Sequence, residues 1–105
     1  MASFFYEVQV TLPDPGTAEA WLRWMRDGHL ADVVAAGARC GRVVRVDDAP
    51  TTYVAQYEFD SREAFDRYVR DHAPRLRVDC LGKFPSPPVA YSRRTGEIVA
   101  DSGEP

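Results

Sequence analysis

Thr51-Thr52-Tyr53-Val54-Ala55-Gln56-Tyr57-Glu58-Phe59 decides the fold. Tyr53, Ala55, Tyr57 and Phe59 make one face of this stretch, and Thr52, Val54, Gln56 and Glu58 make the other. A two-residue period with large apolar side chains on one side is a strand with one buried face. Upstream, residues 38–47 read as a second strand, with Cys40, Arg42, Val44 and Val46 opposed to Arg39, Val43 and Arg45. Between the two lies Asp47-Asp48-Ala49-Pro50, which is turn chemistry, and so short a link makes the pair a hairpin.

Toward the N-terminus, residues 4–12 alternate in the same way. Tyr6, Val8, Val10 and Leu12 point to one side, and Glu7, Gln9 and Thr11 to the other. Pro13-Asp14-Pro15-Gly16 ends that strand, and Thr17 is placed to cap a helix with Glu19 in its first turn. A 3.6-residue period then aligns Ala18, Leu22, Met25, His29, Val33 and Ala36, with Trp21 beside them. Arg23, Arg26 and Asp27 fall on other faces. Gly28 weakens or bends the helix before His29, and a second piece, Leu30 to Ala36, stops at Gly37.

Downstream, Asp60 is placed to cap a helix with Glu63 in the capping-box position, its apolar line being Phe65, Tyr68, Val69 and His72. Pro74 ends that helix or opens another, Arg75 to Leu81, closed by Gly82. Pro85-Ser86-Pro87-Pro88 is a stiff connector. Val89 to Arg94 is a fourth strand, with Glu97-Ile98-Val99 as a continuation after a turn at Thr95-Gly96. The order strand–helix–strand–strand–helix–strand is the split βαβ, or ferredoxin-like, arrangement of the α+β class. One domain over residues 1–100 and a polar tail over 101–105 follow.

Composition narrows the partners. A net charge of −3 disfavours nucleic acid, whose phosphates need a basic face. No apolar run reaches the ~18 residues of a membrane span. Met-Ala-Ser-Phe-Phe-Tyr-Glu has neither a basic segment nor a long apolar core, so no signal peptide is read and a cytoplasmic location is expected. In that compartment Cys40 and Cys80 are expected as two reduced, mostly buried thiols.

If helices cover the Tyr6/Val8/Val10 and Tyr53/Tyr57/Phe59 face, the other face carries Glu7, Gln9, Gln56 and Glu58 with Phe5 and Val54. So mixed a face suits either solvent or the same face of a second copy, which would enclose a barrel with a partly polar interior.

Four spaced blocks carry a resemblance: Trp21-Leu22-x-Trp24-Met25-x-x-x-His29, Thr51-Thr52-Tyr53-x-x-Gln56-Tyr57, His72-Ala73-Pro74-Arg75-Leu76-Arg77 and Lys83-Phe84. In these the chain resembles the short bacterial proteins grouped as domain-of-unknown-function family 4286. The resemblance implies a dimeric α+β barrel, two four-stranded antiparallel sheets packed face to face as a homodimer. Relatives in that broader class include cofactor-independent oxygenases, haem-degrading enzymes, small isomerases and stress-induced proteins without known activity. The family itself has no assigned reaction, so it carries over neither a catalytic role nor a cofactor.

His29 is the candidate catalytic residue, because an imidazole on an apolar line, titrating near neutrality, suits proton transfer. It would otherwise be a core-edge histidine bonded to backbone or a carboxylate. Glu7, Gln9, Gln56 and Glu58 are candidates to orient a small polar aromatic ligand inside the barrel, or to form an ionic network with Arg42 or Arg45. His72 is either a cation at a helix C-terminus or, with Arg75 and Arg77, a clamp for an anionic ligand. Trp21 and Trp24 belong to core and interface before they belong to a stacking platform. No metal-ligand spacing, phosphate loop or nucleophile elbow is present. Two functions follow: a small-molecule-binding dimer, as a cofactor-independent oxygenase or isomerase, or a non-catalytic structural or accessory dimer with a filled barrel. A ligand cavity of about 300 Å³ or more separates them.

Overall fold

The computed structural model describes residues 3–103, so Glu104 and Pro105 of the expected tail lie outside the described residues, as do Met1 and Ala2. Four strands, β1 (Phe4–Thr11), β2 (Cys40–Arg45), β3 (Thr52–Phe59) and β4 (Ala90–Glu97), form one antiparallel sheet in the order β2-β3-β1-β4. Helices α1 (Pro15–Trp24) and α2 (Leu30–Ala35) connect β1 to β2, and α3 (Arg62–Asp71) and α4 (Ala73–Lys83) connect β3 to β4. This is the ferredoxin-like arrangement that the alternation of strands and helices implies. Among the described residues no helix is long and apolar enough to cross a membrane.

The period-2 pattern places the core as read. Phe4, Tyr6 and Val10 of β1 and Tyr53, Ala55, Tyr57 and Phe59 of β3 are buried, against Ala18, Trp21, Met25, Val33, Tyr68 and Leu76 from the helices. Gly41 is required where it stands: a Cβ there would come within 2.7 Å of the Tyr57 ring. Gly37, at φ +131°, ends α2, with Gly37 N–H donating to Val34 O and Ala38 N–H to Val33 O. That pair of bonds satisfies carbonyls that a helix end otherwise leaves open.

Several boundaries differ from the sequence expectation. Helix α1 starts at Pro15, whose fixed φ and missing N–H suit a first turn. The cap is therefore Asp14 rather than Thr17, with Asp14 Oδ1 accepting from Thr17 N at 2.7 Å, and Glu19 lies beyond the first turn. Ser61, not Asp60, caps α3, its hydroxyl accepting from Ala64 N at 3.1 Å. Asp60 lies one residue too early and faces Arg39 at 3.5 Å instead. Pro74 opens α4 rather than ending α3, and α4 runs through Gly82 to Lys83. β4 continues through Thr95 and Gly96, because β1 offers them Tyr6 and Phe5 as partners. Cys40 is exposed, since the alternation of β2 puts it on the open face of an edge strand, while Cys80 is half-buried.

The largest difference lies after Trp24. Met25–His29 form a π-helical turn, closed by Leu30 N–H donating to Met25 O, five residues back. Of the expected line, Ala18, Met25, Val33 and Ala36 are buried together with Trp21, while Leu22 and His29 are half-buried.

Candidate functional site

A cleft opens between the covered face of the sheet and the helices. Its floor is Val8, Val10 and Ala55, its helical wall includes Trp21, Trp24, Met25, His29 and Val33, and its other wall includes Tyr68, Leu76, Arg77 and Cys80. Tyr6, Tyr57, Tyr91 and Arg93 complete it from the sheet. The space in it that water can occupy measures ≈ 50 Å³, and all the space between its walls, open solvent included, ≈ 470 Å³. The interior alone holds a few waters, each needing about 10–15 Å³. It is smaller than a pocket enclosing a drug-sized molecule, about 300 Å³ or more. A ring-sized ligand therefore sits toward the mouth or displaces a wall.

The π-turn sets His29 against Trp24 at the side of this cleft. In a regular α-helix residues five apart diverge around the axis, whereas the wider π-turn brings position i+5 back over position i. The rings of Trp24 and His29 accordingly stack at 4.3 Å between centroids and 22° between planes. His29 Nδ1 is buried and has no hydrogen-bond partner among the described residues. Burial holds the imidazole below its ordinary value of 6.5, with Asp32 and Asp79 acting weakly the other way. The ring is thus kept neutral at neutral pH, with a lone pair to offer.

The phenols around the cleft are hydrogen-bond groups rather than anions. Burial pushes Tyr68 up to about 12, against the opposing fields of Arg77, Arg93 and Arg75. Burial also raises Tyr57 and Tyr91. Tyr91 donates to Phe84 O at 2.7 Å, and Arg93 Nε donates to the Tyr6 hydroxyl at 3.3 Å. The Cys80 thiol, 3.5 Å from the Tyr91 hydroxyl, is raised by burial, so it is no activated nucleophile.

The other sequence candidates separate into two groups outside this cleft. On the open face, register aligns Arg42, Gln56, Glu7 and Arg94 in one row across all four strands. Arg42 Nε donates to Gln56 Oε1 at 2.8 Å, Gln56 Nε2 to Glu7 Oε1 at 3.3 Å, and Arg94 Nε to Glu7 Oε2 at 2.7 Å. Gln9 and Glu58 occupy the rows on either side, Gln9 opposite Val54 and Glu58 opposite Phe5. Arg45 is not in this network, since it faces the helices and its Nη2 donates to the Tyr53 hydroxyl at 3.4 Å. At the α3–α4 junction, Arg75 Nη1 lies 2.7 Å from His72 Nδ1 and donates to it. That bond uses the ring nitrogen as an acceptor, so the geometry does not place a histidine cation there. Arg77 alone of the expected His72/Arg75/Arg77 clamp lines the cleft.

Residues that the sequence pattern assigns to the core supply most of the cleft. Tyr6, Tyr57 and Tyr68 carried a signal, because each puts a hydroxyl on a buried face where phenylalanine would pack as well. Arg93 carried one too: it is an arginine on the covered side of β4, opposite Val8.

Fold and cleft together define a ferredoxin-like α+β protein with a cleft between sheet and helices. The chain belongs to the family described as Domain of unknown function (DUF4286), which it matches over residues 3–98. No curated protein matches it. Among solved structures it is similar to a dimeric ferredoxin-like protein from an uncultured marine organism, at 12% identity and TM-score 0.74, covering 96% of this chain and 99% of that one. It is likewise similar to a mutant of SnoaB, a cofactor-independent oxygenase from Streptomyces nogalater, at 14% identity and TM-score 0.71, covering 97% and 98%. A third is HapK from Hahella chejuensis, at 18% identity and TM-score 0.70, covering 100% and 99%. At such identities the likeness is one of fold.

Proposed function

We propose that the chain is a homodimeric, small-molecule-binding protein that works as a cofactor-independent oxygenase or isomerase, with His29 as the base. The observation that carries this is His29 itself, which lines an aromatic-walled cleft and whose buried Nδ1 has no hydrogen-bond partner among the described residues. An unsatisfied buried polar atom costs about 1–3 kcal/mol and is retained where a ligand uses it. A neutral imidazole takes a proton from the acidic C–H beside the carbonyl of a flat aromatic ketone lying against Trp21 and Trp24. The carbanion is then reprotonated at another carbon, an isomerisation, or bonds to dioxygen through a new C–O bond, the peroxide anion taking back the proton from the imidazolium to give a hydroperoxide, an oxygenation. Dimeric ferredoxin-like and oxygenase neighbours support the reading at the level of fold. The homodimer forms through the Phe5/Gln9/Val54 face of the sheet, where Val44 is also exposed.

The test is hydrogen–deuterium exchange at the acidic carbon of 2-tetralone in D2O, followed by NMR. Wild-type protein should accelerate exchange over buffer and His29→Phe should not. Oxygen uptake assigns the reaction to the oxygenase branch, and its absence to the isomerase branch. Exchange equal for wild type, variant and buffer overturns the catalytic role.

The open face and the small interior of the cleft, ≈ 50 Å³ against the about 300 Å³ that separates the two functions, support a second function, a non-catalytic accessory dimer with a filled barrel. There Glu7, Gln56, Arg42 and Arg94 satisfy one another and leave little for a ligand. Sedimentation should give twice the 11.8 kDa chain mass under either function, and a monomer contradicts both. Catalysed exchange rules out the accessory function alone.

A further inference from the structure

Arg77 on α4 and Arg93 on β4, both exposed, line the solvent-facing part of the cleft that also holds the Trp24–His29 stack. Among the described residues neither arginine meets a carboxylate within 4.0 Å, whereas Arg39, Arg70 and Arg94 each do. Arg93 instead donates through Nε to the Tyr6 hydroxyl. With its oxygen accepting that bond, the Tyr6 hydroxyl keeps its own proton to donate elsewhere. Tyr68 lines the same cleft, close enough to both guanidiniums to be acted on by their fields. Two exposed guanidiniums without a carboxylate partner and the Tyr6 and Tyr68 hydroxyls thus line one cleft with two indoles and an imidazole, Arg93 also lying 5.6 Å from the centre of the Tyr91 ring.

We infer that Arg77 and Arg93 form an anion subsite at the mouth of the cleft, which holds the carboxylate of an aromatic acid while its ring lies toward Trp21 and Trp24. The subsite rests on the cleft reading above and adds to it the class of ligand. Guanidinium suits this role, because its planar fork matches a carboxylate and its charge does not titrate at neutral pH. It also sets direction. A ligand held by its acid group at the arginines presents its far edge to the imidazole.

1-Naphthoate and its neutral isostere 1-naphthamide test this. Trp21 and Trp24 are the two tryptophans of the chain and both line the cleft, so their indole N–H signals in a 1H–15N spectrum report occupancy. Naphthoate should shift both signals and bind wild type about tenfold more tightly than naphthamide does. Arg77→Gln and Arg93→Gln should each weaken naphthoate by about five- to tenfold and leave naphthamide unchanged. Arg93→Lys, which keeps the charge but not the fork, should fall between wild type and Arg93→Gln; this variant guards against a loss caused only by the Tyr6 bond. Raising the salt should weaken the acid and not the amide. Equal binding of acid and amide, unaffected by the arginine variants, overturns the anion subsite and leaves the cleft in place. Indole signals that neither compound moves overturn the subsite and the cleft reading together.

Discussion

Glu7 and Arg94 meet across neighbouring strands with Nε 2.7 Å from Oε2, and the pair is lopsided: the acid side chain is 8% exposed and the arginine 78%. The carboxylate lies on the face of the sheet turned away from the helices, where β1 is flanked by β3 and β4. Gln56 donates to its other oxygen. A buried carboxylate is tolerated only when its oxygens are bonded, and here both are.

Removing either end therefore has unequal consequences. Arg94→Ala strands a buried carboxylate with one remaining partner and should lower stability by about 1–2 kcal/mol, since the guanidinium was itself well solvated. Glu7→Gln leaves a neutral group that still accepts a bond and should lower it by less. Urea unfolding of both variants measures the difference. Equal stability of Arg94→Ala and wild type would show that water replaces the arginine without loss.

Gly41 sits beneath the Tyr57 ring, on the covered face of edge strand β2. A Cβ there would lie 2.7 and 2.8 Å from two ring carbons of Tyr57 and 3.3 Å from Leu30 Cδ2. The ring has little room to yield, being 3% exposed and stacked on Tyr6 at 5.8 Å. Gly41→Ala should cost about 1–3 kcal/mol by overpacking and disturb a wall of the cleft. Thermal melting and the two indole signals check both effects. A variant as stable as wild type with unshifted indoles contradicts the packing described.

Stability should fall below neutral pH through His29. Burial depresses its folded value below the ordinary 6.5, so the unfolded chain takes up the proton first. The contribution is full above about 6.5 and is lost as pH falls from there through the lower folded value. Subtracting the melting curves of His29→Phe from those of wild type between pH 7.5 and 5 isolates the effect from the carboxylates. The wild type should lose ground steadily as the pH drops, and parallel slopes would mean that His29 is solvated in the folded state.

Much of the fold was legible because alternation of period 2 is hard to mistake over eight residues. β1 and β3 lie within a residue of where Tyr6/Val8/Val10 and Tyr53/Tyr57/Phe59 put them. Helix starts were less legible, because Asp14 competes with Thr17, and Ser61 with Asp60, and only the local backbone decides between neighbours of equal capping ability. The π-turn was the least legible. Gly28 marked a weak point, but nothing in a 3.6-residue pattern announces one extra residue per turn, and that residue is what stacks His29 on Trp24. Arg93 stands among the late basic residues, Arg75, Arg77, Lys83 and Arg94, that could make a local anion site, but only the pairing of β4 with β1 turns it toward the cleft.

The central claim is that His29 is held unpartnered for a ligand, and the melting temperature of His29→Phe at pH 8 tests it most directly. At that pH the imidazole is neutral, and phenylalanine keeps a ring against Trp24 while removing the orphaned nitrogen. Relief of about 1 kcal/mol should raise the midpoint by about 4–8 °C in a domain of this size. A midpoint that falls would show that His29 nitrogens hold the fold together, and would contradict the assignment of His29 to a site.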